Sequence, residues 1–176
     1  TGHVQHTAPL MGGGGGPGGW GCAIVLVPYA YYKQFGDVAI LKKCYEPMKH
    51  WIQYLLAHSE DDLVIREEKD GWCLGDWCTL DPIQIPEPFV NTCYLLKCLR
   101  LLCEIAVITG HNEDVKKYEI RIENVASTIR KTYYHPMTGH YCNGMQGADA
   151  YAVWSGLVGK ETAEMVKKLD EKYRIV

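Results

Sequence analysis

Hydrophobic positions along the chain alternate between two kinds of helix. Cys22 to Phe35 carries no charge before Lys33, a pattern that predicts a helix buried on most of its sides. Gly36 and Asp37 then offer a C-terminal glycine and an N-cap. Beyond them Ile40, Leu41, Cys44, Tyr45, Met48, Trp51, Ile52, Leu55 and Leu56 keep helical spacing, with Lys42, Lys43, Glu46, Lys49 and Gln53 opposite. That is one apolar stripe on an outer helix. Pro47 leaves the phase of the stripe intact and predicts a kink or a restart.

The same order recurs twice. Val90 to Thr109 is apolar apart from a narrow line of Lys97, Arg100 and Glu104, and Gly110 closes it. Val115, Tyr118, Ile122, Val125 and Ile129 follow at spacings of three and four. A third pair runs from Gly147 to Val158, charged only at Asp149, through Gly159 into Ala163, Val166, Leu169 and Tyr173. The chain is therefore expected to be all-α, with three helical hairpins. A simple bundle would have one stripe on every helix. An inner ring of buried helices inside an outer ring of striped ones, the layout of a toroid, explains the alternation better. Gly36, Gly110 and Gly159 are too unevenly spaced for a solenoid of fixed period.

The irregularity comes from insertions ahead of the buried helices, where loops of a toroid surround its central cavity. A glycine tract, Met11 to Gly21, precedes the first. It lacks the Gly-Lys-Ser/Thr ending of a phosphate loop, and reads either as a flexible linker or as backbone closely approaching a ligand. Leu63 to Asn91 precedes the second buried helix, and Tyr141 to Gln146 the third. Within the second insertion, Gly71-Trp72-Cys73-Leu74-Gly75-Asp76-Trp77-Cys78 sets two indoles around one carboxylate. A pyranose has apolar C–H patches that stack on indole and hydroxyls that bond to a carboxylate. The competing reading is a tight turn whose tryptophans belong to the core.

Composition narrows the field. At 176 residues, 47% hydrophobic and 22% charged, one globular unit with a real core is expected. A net charge of −3 and the lack of a Lys/Arg stripe argue against nucleic acid as a partner. The longest apolar run, Cys22 to Tyr32, contains Pro28 and falls short of the roughly 18 residues a membrane span requires, and no signal peptide is expected from the opening residues. Cys73 and Cys78, Cys93 and Cys98, and Cys98 and Cys103 are each separated by four residues, a step that rotates successive thiols around a helix. Neither zinc nor any other cofactor is expected. Cysteines used as small core hydrophobes point to a reducing, cytoplasmic compartment. His3 and His6 flank the glycine tract and read as ligand contacts or plain loop residues.

Taken in order, Gly2 to Pro9, Gly16 to Gly21, Tyr32 to Asp37, Gly75-Asp76-Trp77 and Pro88 to Thr92 resemble the middle of the catalytic domain of bacterial α-L-rhamnosidases of glycoside hydrolase family 78. The resemblance runs over nearly the whole chain and is strongest from Gly2 to Thr92. It implies residues 1–176 of an (α/α)6 toroid, about three of six hairpins entered through the glycine-rich loop 1–21. It also implies hydrolysis of terminal α-linked L-rhamnose, with inversion, from an oligosaccharide or glycoside. Trp20, Trp72, Asp76 and Trp77 match positions expected to line the sugar subsite, and Asn91 either joins them or caps its helix.

The resemblance further implies a general acid in an acidic, arginine-containing motif upstream of Gly2 and a general base in a Thr-x-Trp-Glu-like motif on a later inner helix. Neither motif occurs in this sequence. Inversion needs both carboxyls, roughly 6.5–9.5 Å apart, so these residues alone are expected to be inactive. Two alternatives remain open. Asp76 and Glu87 would be an acid/base pair of their own, with Asp149 as an outlier, or the chain is a non-catalytic scaffold or carbohydrate-binding protein. Half a toroid also leaves apolar inner faces uncovered, which predicts a homodimer.

Overall fold

The computed structural model describes residues 2–4, 19–65, 75–76, 82, 84–157, 165, 167 and 171. Within them lie five helices and one small hairpin: α1 (Ala23–Phe35), α2 (Val38–Ala57), α3 (Glu87–Thr109), α4 (Asn112–Tyr133), β1 (Tyr134–His135), β2 (His140–Tyr141) and α5 (Gln146–Ser155). The strands are antiparallel, Tyr134 opposite Tyr141 and His135 opposite His140. Helix α3 packs against α1 and α5 on either side and against α2 and α4 behind. The inner helices thus follow one another as an arc, α1, α3, α5, with α2 and α4, the hairpin partners of the first two, outside.

The stripes read from sequence face the core. Leu41, Tyr45, Met48, Trp51, Ile52 and Leu55 of α2 are buried, as are Tyr118, Ile122, Val125 and Ile129 of α4. Asp37 caps α2, its Oδ1 accepting from the Ala39 amide at 2.8 Å, and the helix runs through Pro47 without a restart. Cys22, Cys93 and Cys98 are fully buried free thiols, small hydrophobes in the packing.

Three expectations need correction. Helix α3 begins at Glu87 rather than Val90, because Pro88 fits the first turn, where no amide donor is required. Helix α5 ends on Gly156, left-handed at φ 77°, and not at Gly159. The left-handed glycine lets the Gly156 and Leu157 amides donate to the Val153 and Ala152 carbonyls at 3.1 and 3.0 Å, while Arg100 donates to the Ser155 and Gly156 carbonyls at 3.1 and 2.9 Å and Arg130 to that of Leu157 just beyond the helix. Finally, α1 is not buried on most sides. Val25 is enclosed, but Val27, Tyr31 and Phe35 are exposed, since among the described helices α1 packs chiefly against α2 and α3. Gly159, Ala163, Val166, Leu169 and Tyr173 lie outside the described residues.

The polar line on α3 binds the arc together. Lys97 sits over the Trp154 ring of α5 at 5.6 Å, Arg100 caps α5, and Glu104 accepts from Tyr29 of α1 at 2.7 Å. A second polar network joins α2 to α4. Buried Tyr45 donates to Asp114 Oδ2 at 2.8 Å, Lys49 pairs with the same oxygen at 3.1 Å, and His111 stacks on the Tyr45 ring at 4.0 Å. The Tyr45 hydroxyl first, and the Lys49 ammonium after it, hold the Asp114 carboxyl below its ordinary range. A carboxyl lowered on folding adds stability above its unfolded pKa, and that stability is lost as the pH falls through the folded value. Asp114→Asn is therefore expected to flatten the loss of stability below about pH 4 in denaturant titrations. An unchanged acid limb in the folded variant would contradict this.

Candidate functional site

Residues far apart in sequence meet in a cleft of about 140 Å³ lined by Gly19, Trp20, Gly75, Asp76, Asn91, Tyr94 and Tyr151. Each wall has a local cause. Trp20 precedes α1, held by the turn in which the Ala23 amide donates to the Trp20 carbonyl at 3.0 Å, and it is 44% exposed. Asn91 and Tyr94 lie a turn apart on α3 and so point the same way. Tyr151 stands four residues beyond Gly147 on α5, and the Asp76 Oδ2 lies 3.7 Å from where a Cβ at Gly147 would be. The carboxylate thus hangs over the first turn of α5, on the face that carries Tyr151.

Gly75 is what brings Asp76 there. Its φ is +56°, and a Cβ would fall 2.6 Å from Cγ and 2.8 Å from Cα of Glu87. Only glycine allows the loop to lie flat on the start of α3. Two of the sequence candidates therefore part company. Asp76 lines the cleft, whereas Glu87 is the first residue of α3, packed beneath Gly75, and is not among the lining residues. An acid in that first turn suits the helix dipole.

Asn91 belongs to the cleft and is not a cap. Pro86 is the N-cap of α3, and Asn91, 1% exposed, lies in the second turn. Asp149 points elsewhere: fully buried, it accepts from the Tyr141 amide at 3.0 Å and pairs with His140 Nδ1 at 2.6 Å. It anchors the β-hairpin to α5. His3 packs against Tyr54 of α2, ring centroids 5.3 Å apart, away from the cleft. Trp72, Trp77, His6 and Met11 to Gly18 lie outside the described residues.

Tyr94 and Tyr151 line the cleft as well, though the sequence pattern did not single them out. Each is embedded in an apolar run and looks like core; the available signal was the three-residue step from Asn91 to Tyr94. Burial, followed by the nearby Tyr94 and Asp76, pushes the Tyr151 phenol up to about 12. Tyr94 is raised too, chiefly by burial. Both stay protonated at neutral pH and can donate. The cleft thus offers an indole, a carboxylate acceptor, an amide and two phenol donors, the set that suits a polyhydroxylated ring. Larger and more open grooves, about 330 Å³ on α2 and about 420 Å³ between α3 and α4, hold no indole among their lining residues.

Comparison with known proteins agrees with this architecture. Residues 1–175 match the family described as the bacterial alpha-L-rhamnosidase 6 hairpin glycosidase domain. An alpha-L-rhamnosidase of Alteromonas sp. (strain LOR) is 27% identical over 127 residues, 66% of this chain and 13% of its own length. One from Streptomyces avermitilis is 29% identical over 133 residues, 75% of this chain and 12% of its own. The crystal structure of the Streptomyces avermitilis alpha-L-rhamnosidase complexed with L-rhamnose superposes with a TM-score of 0.81 at 26% identity, over 97% of this chain and 16% of that one. The alpha-L-rhamnosidase from Dictyoglumus thermophilum shares the fold, with a TM-score of 0.75 at 22% identity over 91% of this chain and 18% of that one. The chain spans about one-eighth of the length of the first two relatives. The five helices form part of a six-hairpin toroid, and the chain belongs to the bacterial alpha-L-rhamnosidase six-hairpin glycosidase domain family.

Proposed function

We propose that this chain forms one wall of the sugar subsite of an inverting α-L-rhamnosidase, and that it binds the terminal α-linked L-rhamnose unit of a glycoside or oligosaccharide. The observation that carries the reading is the convergence of Trp20, Asp76 and Asn91 on one cleft. A Streptomyces avermitilis relative crystallised with L-rhamnose supports the choice of sugar. Trp20 supplies an apolar face for ring C–H groups, and Asp76 accepts from hydroxyls.

Hydrolysis needs more than this wall. Asp76 is the carboxylate that lines the cleft among the described residues, and a single carboxylate cannot both protonate the leaving oxygen and activate water. The acid and the base are therefore assigned to segments outside these 176 residues. Trp72 and Trp77 join the subsite on the strength of the sequence resemblance.

The expected result is that the full-length natural protein cleaves 4-nitrophenyl α-L-rhamnopyranoside and that proton NMR shows β-rhamnose as the first product. The 176-residue chain alone is expected to release no nitrophenol. Retention at the anomeric carbon, no cleavage by the full-length protein, or turnover by the isolated chain would each refute part of this reading.

A further inference from the structure

Tyr94 and Tyr151 occupy a place that packing alone does not explain. Both line the cleft beside Asp76, and their ring centroids are 6.0 Å apart. Tyr94 is braced on two sides. The Trp154 ring meets it edge-on at 4.9 Å, and the absence of a side chain at Gly19 leaves the backbone against its ring, where a Cβ would come within 3.3 Å of Cζ. Lys97 in turn lies over Trp154. A phenol held in this way has its direction fixed before any ligand arrives, which is the condition for selective recognition.

Hydrogen-bond inventory decides what such a pair can read. A carboxylate only accepts, whereas a protonated phenol both donates and accepts. Tyr94 and Tyr151 therefore set hydroxyl donors next to the acceptor-only Asp76 in one lining. Neighbouring sugar hydroxyls match this arrangement: one donates to the carboxylate and the other accepts from the phenol. We propose that Tyr94 and Tyr151 are specificity-determining residues which, together with Asp76, read a pair of adjacent hydroxyls on the bound sugar. Tyr94, the braced ring, makes the contact, and Tyr151, packed against it, orients it. The inference rests on the sugar-binding reading given above.

The test uses the full-length protein with Tyr94→Phe, Tyr151→Phe and the double variant. Inhibition constants are measured for L-rhamnose and for analogues that each lack one ring hydroxyl, with thermal unfolding recorded alongside. Tyr94→Phe is expected to weaken L-rhamnose about tenfold, Tyr151→Phe less, and the double variant no more than Tyr94→Phe alone. For one deoxy analogue the Tyr94→Phe penalty should vanish, because the group it would read is gone. A purely structural role would penalise every analogue alike, and that result overturns the proposal, as do unchanged constants in folded variants. If the wild-type protein itself fails to bind L-rhamnose, the sugar-binding reading falls, and this inference with it; binding by the wild type with indifferent variants sinks the inference alone.

Discussion

Asp76→Asn in the full-length protein is expected to lower kcat/KM for 4-nitrophenyl α-L-rhamnopyranoside by about 30- to 100-fold with little change in thermal stability. The size follows from the bond type. A hydrogen bond to a charged group contributes roughly 1.5–3 kcal/mol, and each tenfold in rate corresponds to about 1.4 kcal/mol. Asparagine keeps the volume but removes the charge and turns one acceptor into a donor, so a sugar hydroxyl that donated to that oxygen faces a like group. Stability should hardly move, because Asp76 projects into the cleft over Gly147 and is no part of the core cluster. A folded Asp76→Asn enzyme within about threefold of wild type would remove Asp76 from substrate binding.

The largest effect on stability is expected at Gly21. A methyl group on this buried glycine would fall inside the van der Waals envelope of Cζ2 and Cη2 of Trp51, which is fully buried and stacked on Tyr54 at 5.7 Å. The indole has nowhere to rotate, so the start of α1 must shift instead. Overpacking of this kind costs about 1–3 kcal/mol, and about 2–4 °C in Tm is lost per kcal/mol for a chain of this size. Trp20 precedes Gly21 directly, so binding should fall as well as stability. Trimming the ring tests the cause. Trp51→Phe removes the atoms that collide, and since Trp51 Nε1 has no hydrogen-bond partner among the described residues, the exchange strands no polar group that was satisfied before. Gly21→Ala combined with Trp51→Phe should be more stable than the sum of the single effects predicts. Additive losses would show that the contact between Gly21 and Trp51 does not set the path of the chain into α1.

Helical spacing alone located α1 to α5 and the buried faces of α2 and α4. A period near 3.6 survives any packing arrangement, so the stripes on α2 and α4 could be read directly, and Leu41, Leu55, Tyr118 and Val125 are buried as their spacing requires. The order of motifs from Gly2 to Thr92 also carried the family and, with it, the toroid. Asp76 and Trp20 were legible because glycine, tryptophan and acid clustered outside the helical pattern. The β-hairpin at Tyr134 to Tyr141 was not legible, since two-residue strands leave no alternation to detect.

Tertiary structure decided what periodicity cannot encode. Helix α5 stops at Gly156, where Arg100 of α3 holds the Ser155 carbonyl and Arg130 of α4 that of Leu157 just beyond, donors lying 55 and 27 residues away in the chain. Asp149, the single charge in an apolar run, became the anchor for Tyr141 and His140 and no partner of Asp76. Of the two readings of Asn91, site residue or cap, the cap fell once Pro88 allowed α3 to begin a turn earlier. Tyr94 and Tyr151 looked like core residues in sequence, because an aromatic ring in an apolar helix has the same local pattern whether its hydroxyl meets protein or an open cleft. Only the approach of α5 to α3, with Gly75 laying Asp76 between them, distinguishes the two: propensity and periodicity act over a few residues, whereas a site is made by the surfaces that meet.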